Sequence, residues 1–200
     1  MSLVVVDACG ANINSVLGAL RRLGCDPVVT KDADTIRSAE RIIMPGVGAA
    51  GNAMQRLNEH KLTDIIPSLT QPVLGICVGM QVLFSGSDED DVDCLGIFNE
   101  RLTKFTAAPE RPIPHMGWNR LSCNAEREHP LLNGLTNDSW CYFVHSFRAA
   151  TFEHTVAGCD YGEPFSAVVA TDNFMGVQFH PERSAATGAR VLDNFLNFPL

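Results

Sequence analysis

The segment from residue 73 to residue 81 constrains the fold more than any other part of this 200-residue chain. Its sequence is VLGICVGMQ, a short apolar run that reaches Cys77 with one glycine two residues before it and another two residues after it. This pattern is typical of a buried strand that turns sharply into a helix, because side chains flanking the turn would collide and glycine has none. We predict that the Cys77 sulfur lies beside the amino end of that helix, where the helix dipole favours a thiolate. The alternative is a buried core cysteine before a glycine turn.

The first half of the chain alternates short apolar strands with helical segments. Short buried strands separated by helices indicate a parallel sheet with helices on both faces. After a polar acidic loop at 85–91, the pattern changes to a series of strands and a last helix. The strands are predicted at 3–6, 27–30, 41–44, 73–76, 95–98, 140–144, 155–159, 167–171 and 175–179, and the helices at 12–23, 50–57, 62–69, 80–84 and 185–195.

Composition excludes several classes of function. A formal net charge of -8 argues against a general nucleic-acid binder. No apolar run approaches the ~20 residues of a membrane span, and the N-terminal run meets Asp7 with no basic segment before it, unlike a signal peptide. The seven cysteines are scattered, odd in number and never spaced C-x-x-C, which argues against disulfides and zinc. We expect a cytoplasmic protein with neither a metal nor a cofactor.

A nucleophilic thiol needs a base, because only about 3% of an ordinary cysteine is ionised at pH 7. Among the six histidines, His180 follows a predicted strand, and parallel sheets bind ligands at the carboxyl ends of their strands. Because Pro181 favours extended chain before it, Glu182 is expected on the same side as His180, where it can accept the ring N–H. These residues predict a nucleophile, a base and an orienting carboxylate. His145 is a rival base. The alternative for residues 180–182 is an ordinary polar turn without a catalytic role.

Acyl transfer also needs hydrogen-bond donors for the developing oxyanion. The N–H of Val78 is the first candidate, because the turn directs it past the sulfur. The second is expected from Gly46, Val47 and Gly48, which follow another predicted strand; an ordinary glycine turn is the alternative there. Gln81 lies one helical turn after Cys77 and faces the same side, where it can bind a substrate.

Together these residues resemble the class-I glutamine amidotransferases. The run at 75–81 is similar to the nucleophile motif of that family, and the run FHPE at 179–182 is similar to its His-x-Glu element. Further segments, at 45–48, 114–119, 142–146 and 176–184, are similar to the glutaminase subunits of imidazole glycerol phosphate synthases within the family. The resemblance implies a single α/β domain over residues 1–200. The implied fold is a flavodoxin-like three-layer sandwich with a mostly parallel central sheet and a smaller antiparallel sheet.

The resemblance also implies a reaction and a partner. Cys77, His180 and Glu182 would hydrolyse L-glutamine to glutamate and ammonia. The ammonia would pass to a separate (β/α)8-barrel cyclase subunit, which makes imidazole glycerol phosphate and an aminoimidazole carboxamide ribotide in histidine biosynthesis. The residues implied to stabilise the oxyanion are Val78 with Gly46, Val47 and Gly48; those implied to bind glutamine are Gln81, Glu89, Ser146 and Gly79; and those implied to meet the partner are Asn12, Trp118, Tyr142 and Arg183.

Three other functions stay open at this point. One is the glutaminase subunit of another amidotransferase, such as pyridoxal phosphate synthase or anthranilate synthase. A second is a catalytically silent subunit that only binds a partner, and a third is a standalone thiol hydrolase.

Overall fold

The structure is a computed structural model that describes residues 2–10, 13–123 and 127–199. Its helices are α1 (Ile13–Arg22), α2 (Ala33–Ser38), α3 (Ala50–Glu59), α4 (Val78–Gln81) and α5 (Ala185–Leu196). Its strands are β1 (Leu3–Val6), β2 (Val28–Thr30), β3 (Arg41–Gly46), β4 (Val73–Cys77), β5 (Phe84–Ser87), β6 (Val92–Asp93), β7 (Phe98–Lys104), β8 (His115–Arg120), β9 (Ser122–Cys123), β10 (Trp140–His145), β11 (Phe147–Arg148), β12 (Thr155–Asp160), β13 (Pro164–Thr171) and β14 (Phe174–Val177).

An eight-stranded sheet with the order β2-β1-β3-β4-β14-β13-β12-β9 forms the centre of the molecule. The first five strands in this order are parallel, and the last three pair in the antiparallel sense. Since the chain moves from β1 to one side for β2 and then to the other side for β3, right-handed crossovers place α1 on one face and α2 and α3 on the other. The predicted three-layer α/β fold is confirmed.

The central parallel strands are buried along their whole length, which explains why they are continuous apolar runs rather than alternating ones. Helix α1 packs by one face, where its buried residues are Val16, Leu17, Ala19 and Leu20. Burial of these apolar surfaces is what fixes the sheet between its helices.

Two smaller sheets stand where the sequence predicts one smaller antiparallel sheet. The pair β8 and β10 is antiparallel, whereas the sheet with the order β11-β7-β5-β6 is mixed, because β5 and β7 run parallel. The predicted acidic loop is therefore in part strand β5. Strand β5 begins at Phe84, whose ring packs 5.1 Å from that of Phe98. The helix predicted at 80–84 therefore ends instead at Gln81.

One predicted helix was wrong and one helix was missed. The helix expected at 62–69 is reduced to a 3₁₀ turn over Ile66–Ser68, since Pro67 lacks an N–H and clashes with the preceding turn. Helix α2 was not predicted, although Asp32 signals its start by accepting a hydrogen bond from the Thr35 N–H at 2.9 Å.

The carboxyl ends of β3, β4 and β14 lie side by side at one edge of the large sheet. Gly46 is the register partner of Cys77, and Val177 is that of Ile76. This register brings the predicted oxyanion segment, the nucleophile and the histidine that follows β14 to the same edge. Within the described ranges, no helix has the length and apolar character needed to cross a membrane.

Candidate active site

Strand β4 ends at Cys77 in a conformation that side chains rarely adopt. Its φ is 55° and its ψ is -112°, a strained geometry that is typical of functional turns. The flanking glycines make the turn sterically possible. A Cβ on Gly75 would lie 2.5 Å from the Gly79 carbonyl oxygen, and one on Gly79 would lie 1.7 Å from the Met44 carbonyl oxygen. Helix α4 can therefore turn back against β3 and β4 only without those side chains.

The predicted base and carboxylate are paired. His180 Nδ1 lies 2.8 Å from Glu182 Oε1, and both side chains are only 7% exposed. The pairing is as predicted, but its geometry is not extended, because residues Pro181–Arg183 form a 3₁₀ turn. The His180 backbone N–H donates to the Tyr142 carbonyl oxygen at 2.9 Å, which fixes the turn to β10.

This pairing also sets the tautomer of His180. When Glu182 accepts the proton on Nδ1, the other ring nitrogen, Nε2, is the one that can exchange a proton with a reacting group. Nε2 is buried and makes no hydrogen bond of ordinary geometry within the described part of the chain. It is thus available for the chemistry of the cavity that His180 lines.

The electrostatic environment keeps His180 protonated at neutral pH. Burial by itself would lower its pKa, but the interactions of the imidazolium with Cys77 and Glu182 outweigh burial and raise the pKa to about 10. A protonated imidazole beside a sulfur is the arrangement that supplies a proton to a departing amine.

Cys77 and His180 line one cavity of about 290 Å³ at the carboxyl edge of the sheet. Six of its other lining residues are those that the sequence predicts for the oxyanion or the substrate: Val47, Gly48, Val78, Gln81, Glu89 and Ser146. Four more were not predicted as lining residues, namely Pro114, Val144, His145 and Phe147. Residues from across the chain, between 47 and 180, thus converge on the sulfur.

Comparison with known proteins shows the family of this chain. The model of the class-I glutamine amidotransferase family matches residues 4–198. The chain belongs to the class-I glutamine amidotransferases. Two solved structures show the same fold: a glutamine amidotransferase with a TM-score of 0.73 and 17% identity, which covers 97% of each chain, and PurLQS from Thermotoga maritima with a TM-score of 0.68 and 19% identity, which covers 98% of each chain.

Curated relatives are much more similar in sequence. One from Idiomarina loihiensis is 48% identical over 200 residues and covers 100% of both chains. One from Escherichia coli K12 is 48% identical over 197 residues and covers 98% of this chain and 99% of its own. One from Shewanella loihica is 48% identical over 203 residues and covers 96% of this chain and 89% of its own. Each is named imidazole glycerol phosphate synthase subunit HisH.

In this amidotransferase the predicted oxyanion segment is only partly in position. Val47 and Gly48 line the cavity, yet the Val47 N–H donates to the Cys9 carbonyl oxygen at 3.3 Å and is not free for a substrate. Gly46 lies beneath them, where a Cβ would approach the Gly79 nitrogen to 2.6 Å. Gly48 has a φ of 90°, so the backbone after Val47 is in a region that glycine tolerates best.

The predicted substrate-binding residues differ in how they meet the cavity. Gln81 donates both amide protons inward, to the Phe147 carbonyl at 3.2 Å and to Gln178 Oε1 at 3.1 Å, which leaves its oxygen for a ligand. Glu89 accepts from the Ala50 N–H at 3.3 Å, at the amino end of α3. Burial raises the pKa of this carboxyl.

The other two predicted substrate-binding residues are Ser146 and Gly79. Ser146 lines the cavity between β10 and β11, and its carbonyl accepts from the Phe105 N–H at 3.0 Å. Gly79 packs against Met44 rather than against the cavity, so its lack of a side chain is required by the turn itself.

Sequence reasoning missed Gln178, which is fully buried and follows directly after β14. Its Nε2 lies 3.9 Å from Cys77 Sγ. The signal was its position two residues before His180, since alternate residues in an extended chain share a side.

The rival base His145 is excluded, because its Nδ1 bonds the Phe147 carbonyl at 2.8 Å and its Nε2 meets His115 at 3.1 Å.

Three of the four predicted partner residues form one surface cluster. Trp118 is 49% exposed and meets Tyr142 edge-on at 6.0 Å, and Arg183 lies over the Tyr142 ring at 4.6 Å. The neighbouring Met116 is 66% exposed. We call Met116, Trp118, Tyr142 and Arg183 the aromatic patch. The fourth predicted partner residue, Asn12, lies outside the described residues.

The other six cysteines do not offer a competing nucleophile. Burial raises the pKa of Cys9 and Cys159 to about 12 and that of Cys94 to about 11. It also raises the pKa of Cys25, Cys123 and Cys141. A raised pKa disfavours the thiolate, which is the form that acts as a nucleophile.

Proposed function

We propose that this chain is the glutaminase subunit of an imidazole glycerol phosphate synthase, with residues 1–200 acting as one amidotransferase domain in the cytoplasm. The carrying observation is the shared cavity in which Cys77 and the Glu182-paired His180 meet. The names of relatives at about 48% identity over nearly the full length support the choice of acceptor reaction.

In the proposed reaction, Cys77 Sγ attacks the side-chain amide carbon of L-glutamine and forms a tetrahedral oxyanion. His180 Nε2 gives its proton to the departing ammonia as the C–N bond breaks, which leaves a glutamyl thioester. Water then adds to the thioester while His180 takes its proton, and glutamate leaves with the thiol restored. Glu182 orients the imidazole and stabilises its charge throughout.

Recognition of glutamine follows from the polar atoms of the cavity. The Gln81 oxygen and the Glu89 carboxylate are acceptors suited to the α-ammonium group of the substrate, and Ser146 offers a hydroxyl to its carboxylate. The N–H groups of Val78 and of Val47 or Gly48 would hold the oxyanion. Because the Val47 N–H is bonded to Cys9, we propose that this segment turns toward the cavity only when the partner subunit is bound and loaded.

The partner in this proposal is a separate (β/α)8-barrel cyclase that docks on the aromatic patch. A second cavity of about 480 Å³ supports this placement. It shares Val47, Val144 and His180 with the first cavity and is also lined by Arg183 of the aromatic patch. Ammonia released at Cys77 would leave by this side, toward the cyclase, and so avoid protonation in bulk water.

The test is glutamate production from glutamine by the chain alone, with the cyclase, and with the cyclase and its phosphorylated ligand. We expect low activity alone and strong stimulation by partner and ligand together. Cys77→Ala should lose at least three orders of magnitude, since nucleophile and base act as a unit, whereas the matched control Cys25→Ala should keep wild-type rates.

The alternatives predict results that differ from those of the proposal. A silent subunit would leave Cys77→Ala within tenfold of the wild type. The subunit of another amidotransferase, or a standalone hydrolase, would turn over glutamine equally with and without the cyclase. Either result would contradict the proposal.

A further inference from the structure

A buried chain of hydrogen bonds connects the Cys77 sulfur with the interior of the small β8–β10 sheet. Its centre is the Phe147 carbonyl oxygen, which accepts from Gln81 Nε2 at 3.2 Å and from His145 Nδ1 at 2.8 Å. Both donors are nearly inaccessible, with 3% and 6% of their surface exposed. Buried polar side chains cost stability unless they are hydrogen-bonded. A buried chain in which each side chain bonds to the next one therefore calls for a functional explanation.

The first branch leads to the nucleophile. Gln81 donates to Gln178 Oε1 at 3.1 Å, and Gln178 Nε2 donates to Cys77 Sγ at 3.9 Å. The backbone N–H of Gln178 donates to the Ala167 carbonyl at 2.9 Å, which fixes the residue at the end of β14. With Oε1 held by Gln81, the amide of Gln178 can present only its N–H₂ group to the sulfur.

The second branch sets which nitrogens of two histidines carry protons. A carbonyl only accepts, so the proton of His145 is on Nδ1 and its Nε2 must accept from His115 Nδ1 at 3.1 Å. His115 Nε2 then accepts from Asn119 Nδ2 at 3.4 Å. This pattern requires both rings to be neutral. Burial lowers the pKa of His115 to about 4 and that of His145 to about 3, so both are neutral at physiological pH.

We propose that Gln178 is a positioning residue that donates a hydrogen bond to the Cys77 sulfur, and that the His145–His115 pair orients it through the Phe147 carbonyl and Gln81. The inference rests on the proposed function, since it concerns the same nucleophile. An N–H donor stabilises a thiolate more than a thiol, because bonds to charged groups are the stronger ones. The oxygen of the Gln178 amide satisfies Gln81, and its nitrogen is directed at the sulfur, so it is the donor side of the amide that the nucleophile explains.

The test measures the sulfur directly in the assembled complex with the cyclase. The rate of iodoacetamide alkylation at Cys77 is followed by peptide mass spectrometry from pH 5 to pH 10. Gln178→Met keeps the length of the side chain and removes both its N–H donor and the oxygen that accepts from Gln81. We expect alkylation at pH 7 to fall about tenfold and the pH–rate profile to move to higher pH. Because the buried Gln81 amide loses its acceptor, thermal unfolding should move to a somewhat lower temperature, and rates are compared where both proteins are folded. Gln178→His restores an N–H donor and should recover part of the rate.

The histidine branch has its own variant. His115 stacks on Tyr161 at 4.0 Å and on Phe143 at 5.0 Å, so His115→Phe preserves the stacking and deletes only the hydrogen bonds. We expect a smaller slowing of alkylation in the same direction. The double variant with Gln178→Met should be no slower than Gln178→Met alone, because both act through one chain.

Two outcomes overturn this inference: an alkylation profile for Gln178→Met that matches the wild type, or effects of the two variants that simply add. Failure of the proposed function looks different. In that case the wild type itself would not release glutamate faster in the loaded complex, whatever the alkylation profiles show.

Discussion

Replacement of Glu182 by glutamine tests whether the carboxylate charge acts on His180. Glu182→Gln keeps the shape of the side chain and an oxygen for the Nδ1 proton, and it removes only the negative charge. In the native protein that charge lies 2.8 Å from the ring, and both side chains are 7% exposed, so water cannot take its place. The substitution therefore isolates an electrostatic contribution.

The expected magnitude follows from this geometry. A hydrogen bond to a charged group contributes roughly 1.5–3 kcal/mol, and each ~1.4 kcal/mol is a factor of ten. The kcat/KM for glutamine should therefore fall about 10- to 150-fold in the loaded complex. The His180 pKa, now about 10, should move down, because Glu182 is one of the groups that raise it.

The pH dependence of stability gives a second readout with a defined sign. A folded-state pKa raised from 6.5 to about 10 means that the native state binds more protons than the unfolded state between these values. The stabilisation is thus complete below about pH 6.5 and is lost as the pH rises toward about 10. In Glu182→Gln the loss should still begin near pH 6.5 but should be smaller and end at a lower pH, because the folded-state pKa is lower.

The assay combines steady-state glutamate release with thermal unfolding across pH 5–10. Asp193→Asn removes an exposed carboxylate and serves as the control, with no change expected in either readout. The reasoning would be refuted if Glu182→Gln retained at least half of the wild-type kcat/KM and the same pH dependence of unfolding.

Three further predictions concern packing, acid stability and the partner. Gly79→Ala should destabilise the fold by several kcal/mol, because its Cβ would overlap a β3 carbonyl. Gly18→Ala on α1, where a Cβ would meet only the Arg22 side chain at an ordinary 3.7 Å, should stabilise the fold by about 0.5–1 kcal/mol in denaturant titrations. Glu163 is held by two arginines and its pKa is lowered to about 2, so the Tm advantage of the wild type over Glu163→Gln should shrink as the pH falls from 4.5 to about 2. Trp118→Ala should weaken cyclase binding about 30-fold by calorimetry, and an unchanged Kd would contradict the docking surface.

Local sequence determined the parts of the site that depend on backbone sterics. Gly75 and Gly79 predicted the turn at Cys77, because no residue with a side chain fits against Met44 and the helix that follows. The apolar runs of β1, β3 and β4 predicted the parallel sheet, since strands buried on both faces cannot alternate. That β14 joins this sheet could not be read from the first half of the chain. The pairing of Glu182 with His180 was also local, although a 3₁₀ turn rather than an extended chain produces it.

Only the tertiary structure decided what surrounds the sulfur. Residues 47, 89, 146 and 180 reach one cavity because distant strands share an edge of the sheet, and strand order is set by packing that no short segment encodes. The position of Gln178 two residues before His180 could be read from the sequence, but the full burial of its amide could not. The bond between the Val47 N–H and Cys9 depends likewise on how two loops meet. Backbone sterics are local and can be read from neighbouring residues, whereas burial and hydrogen-bond partners are properties of the folded whole.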